Sequence, residues 1–191
     1  MTNEKIIIGI GDTGCKMLSK YNTTIPKLFI NGNSDVSKYE NSLFLEAEHN
    51  GKYYPVSGNT VYAEVAVFQA KADILKKLIG KSDIYILTSL GGSVSSGATK
   101  KIAELCIEFE KNVKILTGLP FSFEGRRRVI AQKALTDLTE ICSVQVCDYD
   151  EKSPNNRMNL ASLFNYMDEL ILEELTLMLN DSNNDNAKLK S

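Results

Sequence analysis

The hydrophobic residues of this chain fall into short runs that alternate with longer segments of mixed polarity. The runs lie at 5–11, 27–31, 83–89, 113–118 and 143–148, and they are rich in β-branched residues. Such runs are apolar on both faces, which is typical of parallel strands that are covered by helices on each side of a sheet. The pattern therefore predicts strands at these positions.

The segments between the runs have helical periodicity, at about 14–22, 61–79, 97–110, 124–140 and 159–180. Strand and helix in alternation predict an α/β fold, a Rossmann-like three-layer sandwich with a mostly parallel sheet. The stretch 35–60 is the least regular and is expected to hold a short edge strand. We expect one domain over 1–180 and, because 181–191 is polar and rich in asparagine, a disordered polar tail.

Composition excludes several classes of function. The 191 residues are 43% hydrophobic and 24% charged, with a net charge of −2 and no basic block, which argues against a dedicated nucleic-acid binder. No apolar run reaches the roughly 18 residues of a membrane span, and the first residues lack the features of a signal peptide. The sequence therefore predicts a cytoplasmic protein without direct membrane insertion.

The reactive residue types give little sign of catalysis or of metal binding. None of the four cysteines forms a C-x-x-C pair, so we expect buried free thiols and no metal site. The one histidine, His49, lies in a polar stretch, and a Ser-His-Asp triad is not expected around it.

Small and polar residues follow the strands that we predict. "GIGDTGCK" (9–16), "NGNSD" (31–35) and "SLGGSVSSG" (89–97) each come directly after a strand. In a parallel sheet these turns share one edge, where backbone N–H groups and helix N-termini can bind phosphate. The first turn also fits the dinucleotide motif G-x-G-x-x-G, with Asp35 near the expected acidic position, so on this motif alone an NAD-type site stays open.

Each motif also has a purely structural interpretation. Ser95 and Ser96 can act as caps of the following helix. The arginines of "PFSFEGRRR" (120–128) can belong to a solvated helix face, and Phe164 can be one member of an apolar stripe in the core. The combination of motifs is more specific than any single one.

Together these stretches resemble the GTPase domain of the tubulin/FtsZ superfamily, and FtsZ more than tubulin. "ILTGLPFSFEGRRR" is similar to the P-F-x-F-E-G-x-x-R segment of FtsZ, and "SLGGSVSSGA" falls on the superfamily signature G-G-G-T-G-[ST]-G. "GIGDTGCKML", "NSDV", "SGN" and "SLFNYMDELIL" resemble the first loop, two further loops and the start of the central helix. The resemblance covers roughly 5–180.

The resemblance implies GTP or GDP as the ligand and assigns roles to individual residues. The two loops that wrap the phosphates correspond to Gly9, Gly11, Asp12, Thr13, Gly14, Gly91, Gly92, Ser93, Val94, Ser95, Ser96 and Gly97. Asn33 falls in one adjoining turn, and Gly58 and Asn59 fall in the loop that senses the terminal phosphate. Glu124 and Arg128 correspond to contacts with the ribose and the phosphate side. Phe164 corresponds to the aromatic ring that stacks on the base, and Asp168, at i+4 on the same helix face, to the acid that binds guanine.

The sequence departs from the family at the phosphate loops. Ser93, Val94 and Ser95 replace glycine, threonine and glycine of the signature, which predicts weakened or altered phosphate binding. Asp12 adds a negative charge to the first loop, where it is also a candidate for holding Mg²⁺. Tyr149 stands near the position of a family asparagine, which puts that contact in doubt.

The segment after residue 180 does not resemble the catalytic acidic loop and second domain that follow this helix in the family. We therefore expect no catalytic residues here and weak or no GTP hydrolysis by this chain alone. The broad apolar arc of 159–180 predicts a homo-oligomer, or an FtsZ-like or other protein partner, that covers this helix. Two alternatives stay open: a degenerate module that no longer binds GTP, and an assembling GTPase that a partner completes.

Overall fold

The computed structural model describes residues 4–154 and 158–188. For residues 182–188 it describes the backbone alone. Its centre is a six-stranded parallel sheet with the strand order β3-β2-β1-β6-β7-β8, and a separate antiparallel hairpin pairs β4 with β5. The strands are β1 Lys5–Ile10, β2 Lys27–Asn31, β3 Ser42–Phe44, β4 Ala47–His49, β5 Lys52–Tyr54, β6 Asp83–Ser89, β7 Asn112–Leu119 and β8 Ser143–Asp148.

Helices cover both faces of this sheet. They are α1 Gly11–Lys20, α2 Thr60–Gln69, α3 Lys71–Lys77, α4 Thr99–Glu108, α5 Arg126–Thr139, α6 Tyr149–Lys152 and α7 Leu160–Lys188. Short 3₁₀ turns occupy Ser34–Lys38 and Ser122–Glu124, and a π-type turn over Val94–Ala98 leads into α4. The predicted α/β fold with a parallel sheet is confirmed.

The three layers follow from the alternation of side chains along the central strand. Ile6 and Ile8 of β1 belong to the core on the side of α2, α3, α4 and α5, whereas Ile7 packs on the opposite side with Met17 of α1 and Ile171 of α7. All of these side chains are 1% exposed or less. A parallel strand that is buried on both faces needs a continuous apolar run, which "IIIGI" (6–10) supplies.

The predicted element bounds agree with the structure in most places. The strands predicted at 27–31, 83–89 and 143–148 match, and the two others differ by one residue at their ends. The helix predicted over 61–79 is two helices, because the chain leaves helical geometry at Ala70, with φ −83° and ψ 6°. The irregular stretch holds the expected edge strand, β3, together with the hairpin β4–β5, which the sequence did not predict.

Helix α7 lies along the sheet and buries most of its apolar arc within the chain. Met167, Ile171, Leu175 and Leu179 form its inner face, and a second set is partly buried around them. Leu160 and Leu177, 57% and 58% exposed, are the large apolar side chains that the described part of this helix leaves open. Much of the arc that the sequence assigned to a partner is therefore covered by the chain's own sheet.

The end of α7 differs from the predicted tail. The sequence predicts a disordered tail from residue 181, whereas the α7 backbone continues to Lys188, and 189–191 lie outside the described residues. No helix in the described part of the chain is long and apolar enough to cross a membrane.

All four cysteines are free thiols; Cys15, Cys106 and Cys147 are buried, as the sequence predicts, whereas Cys142 is half-buried. Burial raises the pKa of Cys15 and of Cys106 to about 12, and that of Cys147 to about 11. These thiols therefore stay protonated near neutral pH, where a protonated thiol is a poor nucleophile.

The packing of α7 can be tested on the helix itself. We expect Ile171→Ala to lower the free energy of unfolding by about 2–5 kcal/mol, because it empties a fully buried site. Leu177→Ala, at an exposed position of the same helix, should cost less than about 1 kcal/mol. Urea unfolding of dilute protein measures both values. Equal losses for the two variants would contradict the described orientation of α7.

Candidate functional site

A pocket of about 450 Å³ opens at the carboxyl edge of the sheet, between the start of α1 and the segment 89–95. This volume lies within the range of small-molecule sites in proteins. Its walls are made of small and polar residues with two apolar ones: Gly11, Asp12, Thr13, Asn31, Gly32, Asn33, Ser34, Phe44, Ser57, Ser89, Gly92, Ser93, Val94, Ser95 and Arg127.

The first wall of the pocket is the start of α1. The helix begins at Gly11, whose φ of +75° suits glycine, and no side chain caps it, since Ile10 occupies the cap position. The first N–H groups of a helix have no intrahelical partner, and the helix dipole favours negative charge there. This end of α1 can therefore bind an anion.

The second wall is the segment that leads into α4. Gly91 N–H donates to Ser96 Oγ at 3.0 Å, and Gly92 N–H donates to Ser95 Oγ at 3.2 Å. Serine hydroxyls of the same segment thus occupy these two backbone donors. In the structure, both N–H groups are engaged within the chain and are not directed at a ligand.

Val94 fills space at the back of the pocket. It is 8% exposed, and with Val56 it encloses Gly32 at the end of β2. A Cβ atom at Gly32 would collide with Val56 and would lie 3.0 Å from Val94 Cγ2. The valine that replaces the signature threonine therefore serves packing between the segment and β2, and it offers no hydroxyl to the pocket.

The loop 57–59 forms a further edge of the pocket. Ser57 lines the pocket, and Gly58 N–H donates to Ser93 Oγ at 2.8 Å. Asn59 caps α2, because its Oδ1 accepts from the N–H groups of Val61 and Tyr62 at 2.9 and 3.4 Å. Asn59 thus has a structural role in addition to the ligand role that the resemblance implies.

Asp12 and Arg127 are the charged residues among those that line the pocket. Asp12 Oδ1 accepts from Asn31 Nδ2 at 2.7 Å, which fixes the carboxylate at the mouth. Arg127 Nη1 forms an ion pair with Glu124 Oε2 at 2.6 Å. The two lining charges are of opposite sign, so the other donors that the pocket walls offer are neutral N–H, hydroxyl and amide groups.

Arg128 is placed away from the pocket, in a bidentate ion pair. Its Nη1 and Nη2 donate to the two carboxylate oxygens of Asp148 at 2.8 and 2.7 Å, and both side chains are largely buried. These hydrogen bonds hold the pKa of Asp148 below its ordinary value and raise the pKa of Arg128. The pair fastens α5 to the end of β8, and Glu124 likewise accepts from Phe121 N–H at 3.0 Å.

Phe164 and Asp168 lie on α7 and are not among the residues that line the pocket. The Phe164 ring meets the Phe121 ring edge to face, with centroids 5.8 Å apart. Asp168 is 4% exposed, and its carboxylate pairs with Lys16 at 3.0 Å and with Lys20 at 3.9 Å. In the structure, both side chains make contacts within the chain, and neither lines the pocket.

Tyr149 is buried at the end of the sheet. Its hydroxyl lies 3.4 Å from Ser89 Oγ, and its ring lies against Gly118 of β7. Burial raises the pKa of this phenol well above its ordinary value. Tyr149 therefore packs where the resemblance would place an asparagine contact.

The structure brings only part of the predicted site together. The pocket walls include Gly11, Asp12, Thr13, Asn33, Gly92, Ser93, Val94 and Ser95. The remaining predicted residues do not line it: Gly9, Gly14, Gly58, Asn59, Gly91, Ser96, Gly97, Glu124, Arg128, Phe164 and Asp168. Of these, Gly9 lies within β1 and Gly97 packs against Thr60 of α2, so both allow close contact between elements.

Sequence reasoning did not select several residues that line the pocket: Asn31, Gly32, Ser34, Phe44, Ser57, Ser89 and Arg127. Most of them are the last residue of a strand or directly follow one. Their position at the carboxyl ends of the strands is the sequence feature from which they could have been predicted. Arg127 stands beside two other arginines, and no local pattern marks which of the three faces the pocket.

This sheet order, with the pocket between the first helix and the segment after β6, defines the tubulin/FtsZ-type GTPase-domain fold. The fold is similar to that of an FtsZ dimer structure from M. jannaschii, with a TM-score of 0.76 and 20% identity over 90% of this chain and 53% of that one. It is also similar to TubZ of the Clostridium botulinum phage c-st, with a TM-score of 0.67 and 17% identity over 95% of this chain and 59% of that one.

Two similar sequences among the curated proteins are cell division proteins. FtsZ 1 of Archaeoglobus fulgidus is 28% identical over 177 residues, which cover 87% of this chain and 48% of the relative. FtsZ of Neisseria gonorrhoeae is 26% identical over 150 residues, or 70% of this chain and 36% of the relative. The matches thus span less than half the length of these relatives. No protein-family model matches the sequence.

The Arg128–Asp148 pair gives a test that depends on pH. Because the folded-state pKa of Asp148 is lowered, its stabilising effect is present above about pH 4 and is lost as the pH falls through the folded value. We expect Asp148→Asn, which keeps the cap of α6, to cost about 1–3 kcal/mol at pH 7 and less at about pH 3. Urea unfolding at the two pH values measures this.

The matched control for this test is Asp137→Asn. Asp137 pairs with Lys100 at 3.0 Å in a more exposed setting, where an ion pair is worth about 0–1 kcal/mol. The structural role of the pair would be contradicted if Asp148→Asn lowered the free energy of unfolding no more than Asp137→Asn does. It would also be contradicted if the effect of Asp148→Asn did not change with pH.

Proposed function

We propose that this chain binds a guanine nucleotide, with its phosphates in the pocket at the start of α1. The observation that carries the proposal is the uncapped N-terminus of α1, which faces a segment of small residues across a cavity of about 450 Å³. Backbone N–H groups, the hydroxyls of Thr13 and Ser89, and the Arg127 guanidinium supply donors of the kind that phosphate requires.

The base and the metal ion belong to the same proposal. The resemblance supports a base that stacks on Phe164 and is bound by Asp168, after the Lys16 ion pair has adjusted to it. Asp12 suits Mg²⁺, because Mg²⁺ is commonly held by one or two carboxylates together with phosphate oxygens. Bound Mg²⁺ would offset the charge of Asp12 beside the phosphates.

We further propose a role in the assembly or regulation of a cytoskeletal or division-type system. The support comes from the relatives, which include cell division proteins, an FtsZ dimer and a TubZ protofilament from phage PhiKZ. Self-association of this chain or binding to an FtsZ-like partner, weak or absent GTP hydrolysis by the 191-residue chain alone and a cytoplasmic location all stay predictions.

The phosphate site can be tested through its one lining arginine. We expect Arg127→Ala to weaken the binding of GTP and GDP by about five- to tenfold, because an exposed charged donor to phosphate is lost. Arg126→Ala removes the neighbouring exposed arginine, which does not line the pocket, and should change the affinity less than about twofold. Isothermal titration calorimetry with added Mg²⁺ measures both.

The same titrations separate the proposed function from its alternatives. If neither nucleotide binds the unaltered chain at millimolar concentration, the chain is a degenerate module and the proposal is wrong. Phosphate release that appears only when an FtsZ-type partner is added would favour an assembling GTPase that the partner completes.

Recognition of guanine is a separate prediction. We expect the unaltered chain to bind GTP at least about tenfold more tightly than ATP, because a carboxylate accepts from the N–H groups of guanine, which adenine lacks. Asp168→Asn should reduce this preference and leave the affinity for ATP nearly unchanged. Equal binding of GTP and ATP by the unaltered chain would contradict the guanine site.

A further inference from the structure

The hydroxyl of Ser93 joins two separate parts of the pocket. It accepts from Gly58 N–H at 2.8 Å, so it links the segment before α4 to the loop before α2 across 35 positions of sequence. Ser93 has helical geometry, with φ −63° and ψ −46°, which any L-residue adopts without strain. The contact therefore depends on the hydroxyl and not on an unusual backbone at residue 93.

The position of the Ser93–Gly58 hydrogen bond relative to the strands decides which part of a bound nucleotide it can influence. Phe164 meets Phe121, which follows β7, whereas the loop 57–59 lies on the side of β2, because Val56 packs against Gly32. The strands β1 and β6 lie between these two sides. A nucleotide with its base at Phe164 would therefore extend its phosphates toward β2, on the side of the loop 57–59.

Gly58 N–H is a backbone donor at the place where a third phosphate would end. An N–H group that already donates to a hydroxyl adds little to anion binding, since the anion must displace the existing partner. Ser93 Oγ thus occupies the position on this donor that a phosphate oxygen would take. The loop 57–59 is also held against the segment before α4 when no ligand is bound.

We propose that Ser93 is a specificity-determining residue of this pocket, which removes the ability to distinguish a nucleoside triphosphate from a diphosphate. The inference rests on the proposed nucleotide site and adds the regulation of that site. Binding of either nucleotide then leaves the loop 57–59 and α2 in the same arrangement, and exchange of triphosphate for diphosphate does not move them.

The test compares GTP and GDP on three forms of the full 191-residue chain by calorimetry with Mg²⁺. For the unaltered chain we expect dissociation constants that agree within about twofold. Ser93→Ala frees Gly58 N–H without a change of backbone preference, and GTP should then bind about fivefold to tenfold more tightly than GDP.

Ser19→Ala is the control, because Ser19 does not line the pocket and its hydroxyl donates to the Lys16 carbonyl within α1 at 2.7 Å. This variant should keep the ratio of the GTP and GDP dissociation constants that the unaltered chain shows. Amide exchange by NMR adds a measurement without nucleotide: Gly58 N–H should be protected in the unaltered chain and in Ser19→Ala, and should lose protection in Ser93→Ala.

Each outcome decides the inference. If the unaltered chain binds GTP much more tightly than GDP, the role of Ser93 is overturned and the proposed function stands. The same holds if the ratio of the GTP and GDP dissociation constants is unchanged in Ser93→Ala. A change in this ratio in Ser19→Ala as large as that in Ser93→Ala also overturns it. The absence of binding by either nucleotide overturns the proposed function, and this inference with it.

Discussion

Parallel pairing of β1 with β6 is the constraint on which the pocket depends. The register Gly9↔Leu87 brings the ends of both strands to the same level, so α1 and the segment before α4 start side by side. A buried hydrogen bond from Thr88 Oγ1 to the Ile10 carbonyl, at 3.0 Å, fixes the two strand ends to each other. Gly14 then lets α1 approach closely, because a Cβ atom there would lie 2.5 Å from the Leu87 carbonyl oxygen. The uncapped end of α1 and the wall opposite it are therefore positioned by the sheet and not by the loops.

The segment before α4 is stabilised in a way that reduces its need for a ligand. In a loop of glycines, backbone N–H groups would be left to water or to phosphate. Here Ser96, Ser95 and Ser93 each accept from one such group at the pocket edge. Val94 turns into the core beside Gly32, so the replaced threonine becomes a packing residue. These replacements are mutually consistent, because together they order the segment from within the chain.

The fold was predictable from the sequence because its signals are local. Continuous apolar runs such as 83–89 mark buried parallel strands, and small residues after them mark the carboxyl edge of the sheet. The pocket was predictable only in part. Arg127 and Arg128 are adjacent and chemically identical, and only the helix rotation, together with the partner Asp148, decides that Arg127 faces the pocket. The hairpin β4–β5 escaped prediction because its strands, Ala47–His49 and Lys52–Tyr54, are too short to show periodicity.

The contacts of Asp168 and Gly58 have opposite consequences for a ligand, although both are internal. Asp168 pairs with Lys16 and Lys20, whose side chains are about half exposed, so water can solvate the lysines when a base takes their place. The Asp168 carboxylate itself is 4% exposed, so a base that replaces the lysines must supply N–H donors to it, as guanine would under the proposed function. Gly58 N–H instead donates to a neutral hydroxyl on a short side chain whose backbone is fixed by the turn into α4. Under the proposed function, the base side of the site exchanges internal partners for the ligand, whereas Gly58 N–H stays bonded to the chain itself.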